Sequence, residues 1–429
     1  MTPLKIGIAG LGTVGAGTAR LLADNAALIA TRAGRPITLT AVSARDKSRD
    51  RGIALTGITW HDDALALAAD PNVDVVVELI GGSDGPAKAL VEAAIAAGRP
   101  VVTANKALLA IHGTALAAAA EAAGLPLGFE AAVAGGIPVI KLLREGLAAN
   151  RVSRVAGILN GTCNYILTTM REEGRDFPEV LADAQALGYA EADPAFDIEG
   201  VDAAHKLTIL AALAFGQNVD FSAVHIEGIR NISALDISFA EELGYRIKLL
   251  GIAQQTPSGV SMRVHPAMVP VSKLLAAVEG VFNAVLMEGD FSGPVFCQGR
   301  GAGAGPTASA VVADLIDIAR GSKIPVWGAA QAALAPSRPV AISALTGAYY
   351  LRLMVTDQPG VLADVTAILR DHGISLESML QHGRSPGEAV PIVLVTHDTI
   401  EAAISAAISR IATLDCVLET PALIRIEPK

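Results

Sequence analysis

The chain has 429 residues, 52% of them apolar, 18% charged and 4% aromatic, which excludes a disordered or fibrous protein and suits about three domains. Its formal charge is −10 and no block of Lys and Arg interrupts the sequence, which argues against nucleic-acid or other polyanion partners. The longest apolar runs, Leu207 to Val219 and Pro339 to Leu351, are shorter than the ~18 residues a membrane helix needs, so no membrane role is expected. Cys163, Cys297 and Cys416 are too widely spaced for a disulfide framework or a CxxC metal site. A strand pattern begins at Leu4, with no signal-peptide pattern before it, and a cytoplasmic location is expected.

Over residues 1–130 short β-rich runs alternate with helical ones: strand Leu4 to Ala9, helix from about Val14, strands Ile37 to Ser43 and Val73 to Leu79, helix Ala87 to Ala97, strand Pro100 to Thr103. This α/β pattern predicts a parallel, doubly wound Rossmann-type sheet. Over 131–303, longer helices such as Val201 to Phe215 mix with strand-like runs Val152 to Ile158 and Val260 to Val264, which reads as an α+β domain. The helical run Ala308 to Ala319 follows a Gly-rich hinge, so residues 304–330 are expected to return to the first domain. A linker is expected at 331–348. Residues 349–429 then read as a ferredoxin-like βαββαβ unit: Tyr350 to Thr356, Gly360 to His372, Ile374 to Gln381, Val390 to Thr396, Ile400 to Ala412 and Leu423 to Ile426.

Gly10-Leu11-Gly12-Thr13-Val14-Gly15 lies between the first strand and the first helix, the context a dinucleotide fingerprint requires. Gly10 permits the tight turn, Gly12 lets a pyrophosphate approach, and Gly15 allows close helix packing. The N–H groups at the helix start, around Thr13 and Val14, form the anion site. The second strand runs into Ala44-Arg45-Asp46-Lys47 without the acidic residue usual for the ribose hydroxyls. Arg45 and Lys47 suit a 2′-phosphate, so NADP(H) is expected to be preferred, while Asp46 leaves NAD(H) open. A solvated charged turn is the competing reading.

Asp202 and Lys206, one helical turn apart, precede the almost wholly apolar Leu207 to Phe215. A buried acid–base pair at a helix start is a site candidate, whereas an exposed one would be an ordinary surface pair. Lys106 follows the strand ending at Thr103, at the carboxyl edge where open α/β sheets bind ligands. His205 points ~100° away from Lys206 on a helix and is expected to pack locally. Cys163 is expected to be a small buried residue.

The motifs TANKALLA, FEAAVAGGIPVI, GILNGTCNYIL, GYAEADPAFDIEGVDAAHKL and GRGAGAGPTASAV, in this order, resemble those of the homoserine dehydrogenase family along essentially the whole chain. The resemblance implies reversible reduction of L-aspartate 4-semialdehyde to L-homoserine, a branch-point step towards threonine, methionine and isoleucine. It makes Lys206 the proton donor to the aldehyde oxygen and places Lys106 beside nicotinamide and substrate. Glu191 and Asp202 would hold the substrate ammonium with support from Asp197. Glu130 and the carbonyls of Val133, Gly135 and Ile137 match the family's sodium loop, for which a glycine hinge is the plain alternative, and Gly303 matches a cofactor contact. Residues 350 to 429 resemble an ACT domain, in which Asp357 and the turn ending at Gly360 would contact an amino-acid effector, here threonine. A homodimer or homotetramer is expected. A catalytically silent amino-acid sensor is the other class of reading, and the intact Lys106, Glu191, Asp202 and Lys206 set opposes it.

Overall fold

A computed structural model describes residues 2–382 and 385–428. The first sheet contains β1 (Leu4–Ala9), β2 (Ile37–Ser43), β3 (Thr59–His61), β4 (Val75–Glu78), β5 (Val101–Thr103) and β6 (Leu127–Gly128). Every neighbouring pair is parallel, in the order β3-β2-β1-β4-β5-β6. Helices on both faces bury these strands, which explains their unbroken Val/Ile content: Ile6, Ile8, Val75, Val76, Val77, Val101 and Val102 have no exposed surface. The strand order reverses between β1 and β4, so the loops after them flank the crevice where such sheets bind ligands. The helix Ala304–Arg320 packs on the helix Thr13–Asp24, and its Val311 and Leu315 share a core with Ile6, Ile8 and Leu22.

The second sheet contains β7 (Val152–Ile158), β8 (Val224–Ile226), β9 (Tyr245–Thr256), β10 (Gly259–Pro270), β11 (Phe282–Gly289), β12 (Gly293–Arg300), β13 (Thr346–Thr356), β14 (Leu376–Gln381), β15 (Ala389–Thr396), β16 (Thr399–Ile400) and β17 (Ala422–Ile426). Its main path is β12-β11-β7-β9-β10-β17-β13-β15-β14, with β8 beside β10 and β16 beside β13. The run at Val260 to Val264 is thus part of a much longer strand; Arg263 and His265 interrupt its apolar pattern. Helices Gly161–Glu173 and Val201–Phe215 cover β7 and β9.

The C-terminal βαββαβ unit carries helices Val361–Asp371 and Glu401–Ile411 and a core of its own around Leu351, Leu353, Val365 and Ile404. It is not hung on a free tether. The parallel pairs Ala267↔Arg425 and Met268↔Ile426 join β17 to β10, so both units share one sheet. The connecting segment is itself bonded to the second domain, through Asn218 N–H to Ala335 O (2.9 Å), Val260 N–H to Arg338 O (2.8 Å) and Val340 N–H to Val260 O (3.0 Å). Two arginines, Arg352 buried and Arg425 part-buried, add forks across the joint: Arg352 to Asp236 (2.6 and 3.1 Å) and Arg425 to Glu227 (2.7 and 2.9 Å). Among the described residues no helix is long and apolar enough to cross a membrane.

Candidate active site

The first half of the site is a space left by missing side chains. Gly10 has φ +95°, and a Cβ there would lie 2.4 Å from Leu79 O. A Cβ on Gly15 would lie 2.0 Å from Gly10 O, so the helix can follow the turn this closely only with glycine. Gly12 instead faces open space, and no side chain caps the helix that begins at Thr13. An uncapped helix start with an open glycine at its mouth fits a pyrophosphate. Gly17, not singled out in the sequence, is also required: a Cβ on it would lie 2.7 Å from Ala304 O, where the helix capped by Gly303 begins.

Arg45 and Lys47 are exposed in the turn after β2, and Lys47 Nζ stands 6.0 Å from the centre of the Trp60 ring. Asp46 is occupied, its Oδ1 accepting from Ser48 N–H (2.9 Å) and Ser48 Oγ–H (2.7 Å), and these bonds hold its carboxyl below the usual range. A further cation, Arg51, stands five residues after Asp46 and donates to Leu11 O (3.1 Å), so tying this turn to the fingerprint loop 40 residues earlier, a contact no local pattern discloses.

The second half is a charge cluster around buried Asp202 and Lys206, with Lys106 part-exposed at its edge. Gly200, with φ +85°, turns the chain into the helix Val201–Phe215, and Asp202 stands in its first turn, where the helix dipole favours a carboxylate. Lys206 Nζ donates to Asp202 Oδ2 (2.7 Å) and to Leu159 O (2.7 Å). Lys106 Nζ, from the helix that follows β5, lies 3.1 Å from Asp202 Oδ1. Asn160 Nδ2 bridges Asp202 Oδ2 and Asp197 Oδ1, each at 2.8 Å. One buried carboxylate thus holds both lysines at the boundary between the first and second domains.

Burial pushes the Asp202 carboxyl up, but the ammonium groups of Lys206 and Lys106 and the bonds from Lys206 and Asn160 outweigh it and hold the group well below the usual range. Asp197 goes the other way: burial raises it, and Asp202 adds to the rise. Burial also lowers His205 to about 4, so it is neutral at pH 7; its ring lies against Phe196 and Phe221 at 5.5 and 4.4 Å. Cys163 is buried with Sγ 3.2 Å from Asp197 O, and burial followed by the Asp197 charge raises its thiol far from nucleophilic use.

Glu191 is not gathered into this cluster. It is exposed, and among the described residues its carboxylate forms no hydrogen bond or ion pair. Several positioning groups join near neighbours to remote ones. Glu78, fully buried at the end of β4, accepts from Ile80 N–H, Gly81 N–H and Thr103 Oγ–H. Thr103 Oγ1 accepts from Asn105 N–H, and Asn105 caps the helix that starts at Lys106 and donates to Gly82 O. Asn105 was legible as a cap residue before a helix; Glu78 gave no local signal.

In the loop after Phe129, Glu130 is buried and accepts from Ile140 N–H (3.0 Å) and Lys141 N–H (2.8 Å). Burial and the neighbouring Asp314 push it up to about 7. Ala134 in this loop, with φ +50°, is the one non-glycine with positive φ among the described residues. A carboxylate and three carbonyls are hard oxygen donors that fit a monovalent cation, although the Ile137 carbonyl already accepts from Val139 N–H (2.7 Å). In the C-terminal unit, Asp357 Oδ2 accepts from Ser385 N–H (2.8 Å), and exposed Gly360, with φ +101°, opens the helix Val361–Asp371.

A parallel dinucleotide-type sheet with a Lys–Asp–Lys cluster, its Asp202 and Lys206 buried, at its carboxyl edge defines a nicotinamide-linked oxidoreductase. Residues 10–130 match the NAD-binding domain of homoserine dehydrogenase, 138–316 its catalytic family and 349–416 the ACT domain. Homoserine dehydrogenases of Pseudomonas aeruginosa and Neisseria gonorrhoeae are 50% and 48% identical over 100% of this chain and 99% of their own length. The crystal structure of a homoserine dehydrogenase from Thiobacillus denitrificans superposes with a TM-score of 0.94 at 49% identity, covering 100% of this chain and 99% of that one. A hyperthermophilic archaeal homoserine dehydrogenase, solved in complex with NADPH, matches 74% of this chain and 97% of its own at 25% identity and a TM-score of 0.63. The chain belongs to the homoserine dehydrogenase family.

Proposed function

We propose that this chain reduces L-aspartate 4-semialdehyde reversibly to L-homoserine, on the route to threonine, methionine and isoleucine, with NADPH preferred over NADH. The observation that carries this reading is Lys206: an ammonium has three donors, two are committed to Asp202 and Leu159 O, and one is left for a substrate oxygen. When bound, the nicotinamide supplies or takes the hydride. Lys206 gives its proton to the aldehyde oxygen as charge develops there and recovers it from the hydroxyl in reverse. Lys106, shared through Asp202, adds positive charge and orients the substrate; Asp202 and Asp197 receive the substrate ammonium, and Glu191, outside the cluster, joins them only if the exposed segment that carries it closes over the bound substrate.

Gly10, Gly12, Thr13, Val14, Gly15 and Gly303 hold the cofactor in this reading. The positive turn of Arg45 and Lys47 and the engagement of Asp46 by Ser48 favour a 2′-phosphate. Glu130 with the Val133, Gly135 and Ile137 carbonyls holds sodium. Threonine acts as effector through the Asp357–Gly360 turn in a homodimer or homotetramer, and the protein works in the cytoplasm.

One set of initial rates tests the reading: aspartate semialdehyde with NADPH or NADH, with and without threonine, for the wild type and Lys206→Ala. Expected are a higher kcat/KM with NADPH, inhibition by threonine, and loss of at least about a hundredfold in kcat on Lys206→Ala with NADPH affinity kept. Near-normal turnover of Lys206→Ala would remove the proposed proton donor.

A further inference from the structure

The aim of Lys206 depends on one backbone oxygen, and a residue far away in sequence holds that oxygen. Leu159 O accepts from Lys206 Nζ at 2.7 Å and from Asn283 Nδ2 at 3.0 Å. Asn283, the second residue of β11, is 2% exposed. We propose that Asn283 is a positioning residue that directs the proton transfer at Lys206, an inference that rests on Lys206 being the proton donor.

In the ammonium form, two N–H bonds go to Asp202 and Leu159 O and the third points to the substrate. After the aldehyde carbon gains hydride and its oxygen takes the proton, the neutral amine keeps the same two donors. Its lone pair then occupies the direction the proton left, ready for the homoserine hydroxyl in reverse. The direction is fixed only if Leu159 O stays in place, and Asn283 occupies the carbonyl's second acceptor position.

Asn283 is itself held on a fixed backbone. Asn164 Nδ2 donates to Val278 O (3.2 Å), Gly280 O (2.9 Å) and Phe282 O (3.3 Å), and Asn164 Oδ1 accepts from buried Lys248 (3.2 Å). The amide is seated where Gly301 has no side chain: a Cβ there would lie 2.2 Å from Asn283 Cγ and Nδ2. Gly301 does not have a left-handed φ, and the three atoms nearest to an added Cβ all belong to this amide, so alanine there presses first on Asn283. The charged and titratable groups around Lys206 are Asp202 and His205 on its own helix, Lys106 on the next, Asp197 and Glu199 in the preceding turn, and Cys163. Neither Asn283→Ala nor Gly301→Ala changes any of those charges.

Steady-state kinetics of the full chain with homoserine and NADP+ test the proposal. Asn283→Ala and Gly301→Ala are each expected to lower kcat about ten- to a hundredfold while both KM values stay within about twofold. The solvent deuterium isotope effect on kcat is expected to rise, because the misaligned proton transfer becomes rate-limiting. A merely structural residue would lower the active fraction and leave the isotope effect unchanged, and that result overturns the proposal. Lys206→Ala, run in parallel, separates the two readings: if it retains turnover, the proton-donor assignment fails and this inference with it. If it is inactive while both glycine and asparagine variants keep the wild-type isotope effect, only the inference fails. Should Asn283→Ala not fold, Gly301→Ala alone carries the same expectation.

Discussion

The two halves of the candidate active site are built by opposite means. The dinucleotide loop is one continuous segment, Gly10 to Gly15, and its property is the absence of atoms at Gly10 and Gly15 and open space at Gly12. The Lys106–Asp202–Lys206 cluster is drawn from separate helices and centres on a buried carboxylate whose charge must be balanced. The loop should therefore fail when volume is added and the cluster when charge is removed.

The largest effect is expected from Asp202→Asn, which keeps the shape and removes the one carboxylate shared by two lysines. Breaking a buried pair in this way costs about 3–5 kcal/mol, so urea unfolding should show a loss of that order. The kcat should fall at least about a hundredfold, because Lys206 loses one of its two anchors. Near-wild-type stability of the D202N enzyme would mean that the charge balance at this site is not what holds it.

Next in size is a pair of glycine substitutions that splits the loop's own roles. Gly10→Ala forces a side chain at φ +95° against Leu79 O and is expected to cost about 2 kcal/mol of stability and at least tenfold in NADPH affinity. Gly12→Ala meets no protein atom, so the unfolding midpoint should stay put while the NADPH Kd rises. Equal loss of stability in both variants would show that the opening at Gly12 is filled by the protein itself.

The same contrast explains what could be read in advance. A site made by leaving atoms out is local, so its glycines, its strand and its helix start are legible from Leu4 to Gly15 alone. The C-terminal βαββαβ pattern was legible for a similar reason, since each element shows its own period. A site made by convergence is legible only where the residue type is unusual for its place, as with Asp202 and Lys206 ahead of an apolar helix. Asn283 and Arg51 act through partners 124 and 40 residues away, and no local pattern marks them; Glu78 and Asn160 also make local bonds, the latter as a helix cap, but their partners Thr103 and Asp197 lie 25 and 37 residues away. Nor did the sequence disclose that β17 completes the sheet of the catalytic domain, because that pairing involves only two residue pairs.

The joint between those two units offers the smallest effect and a third kind of construction, a charge cluster that links two domains. Arg425 forks to Glu227 and also reaches Glu401, and Glu227 is followed by Gly228, where a Cβ would lie 2.2 Å from Ile198 O, beside the segment that carries Asp197 and Gly200. Burial raises the Glu227 carboxyl, but the bonds from His225 and Arg425 outweigh it and hold the group well below the usual range. A carboxylate whose folded value is depressed contributes stability above its unfolded value of about 4.3 and loses it as pH falls towards the folded value. The joint should therefore weaken below about pH 4. Replacing the fork by Arg425→Met should lower Tm at pH 7 and shrink the fall in Tm on going to pH 4 by about 2–4 °C, measured by calorimetry. An undiminished acid slope in that variant would place the acid-sensitive carboxylates elsewhere, whereas a diminished slope with unchanged kcat would separate the charges that hold this enzyme together from those that run it.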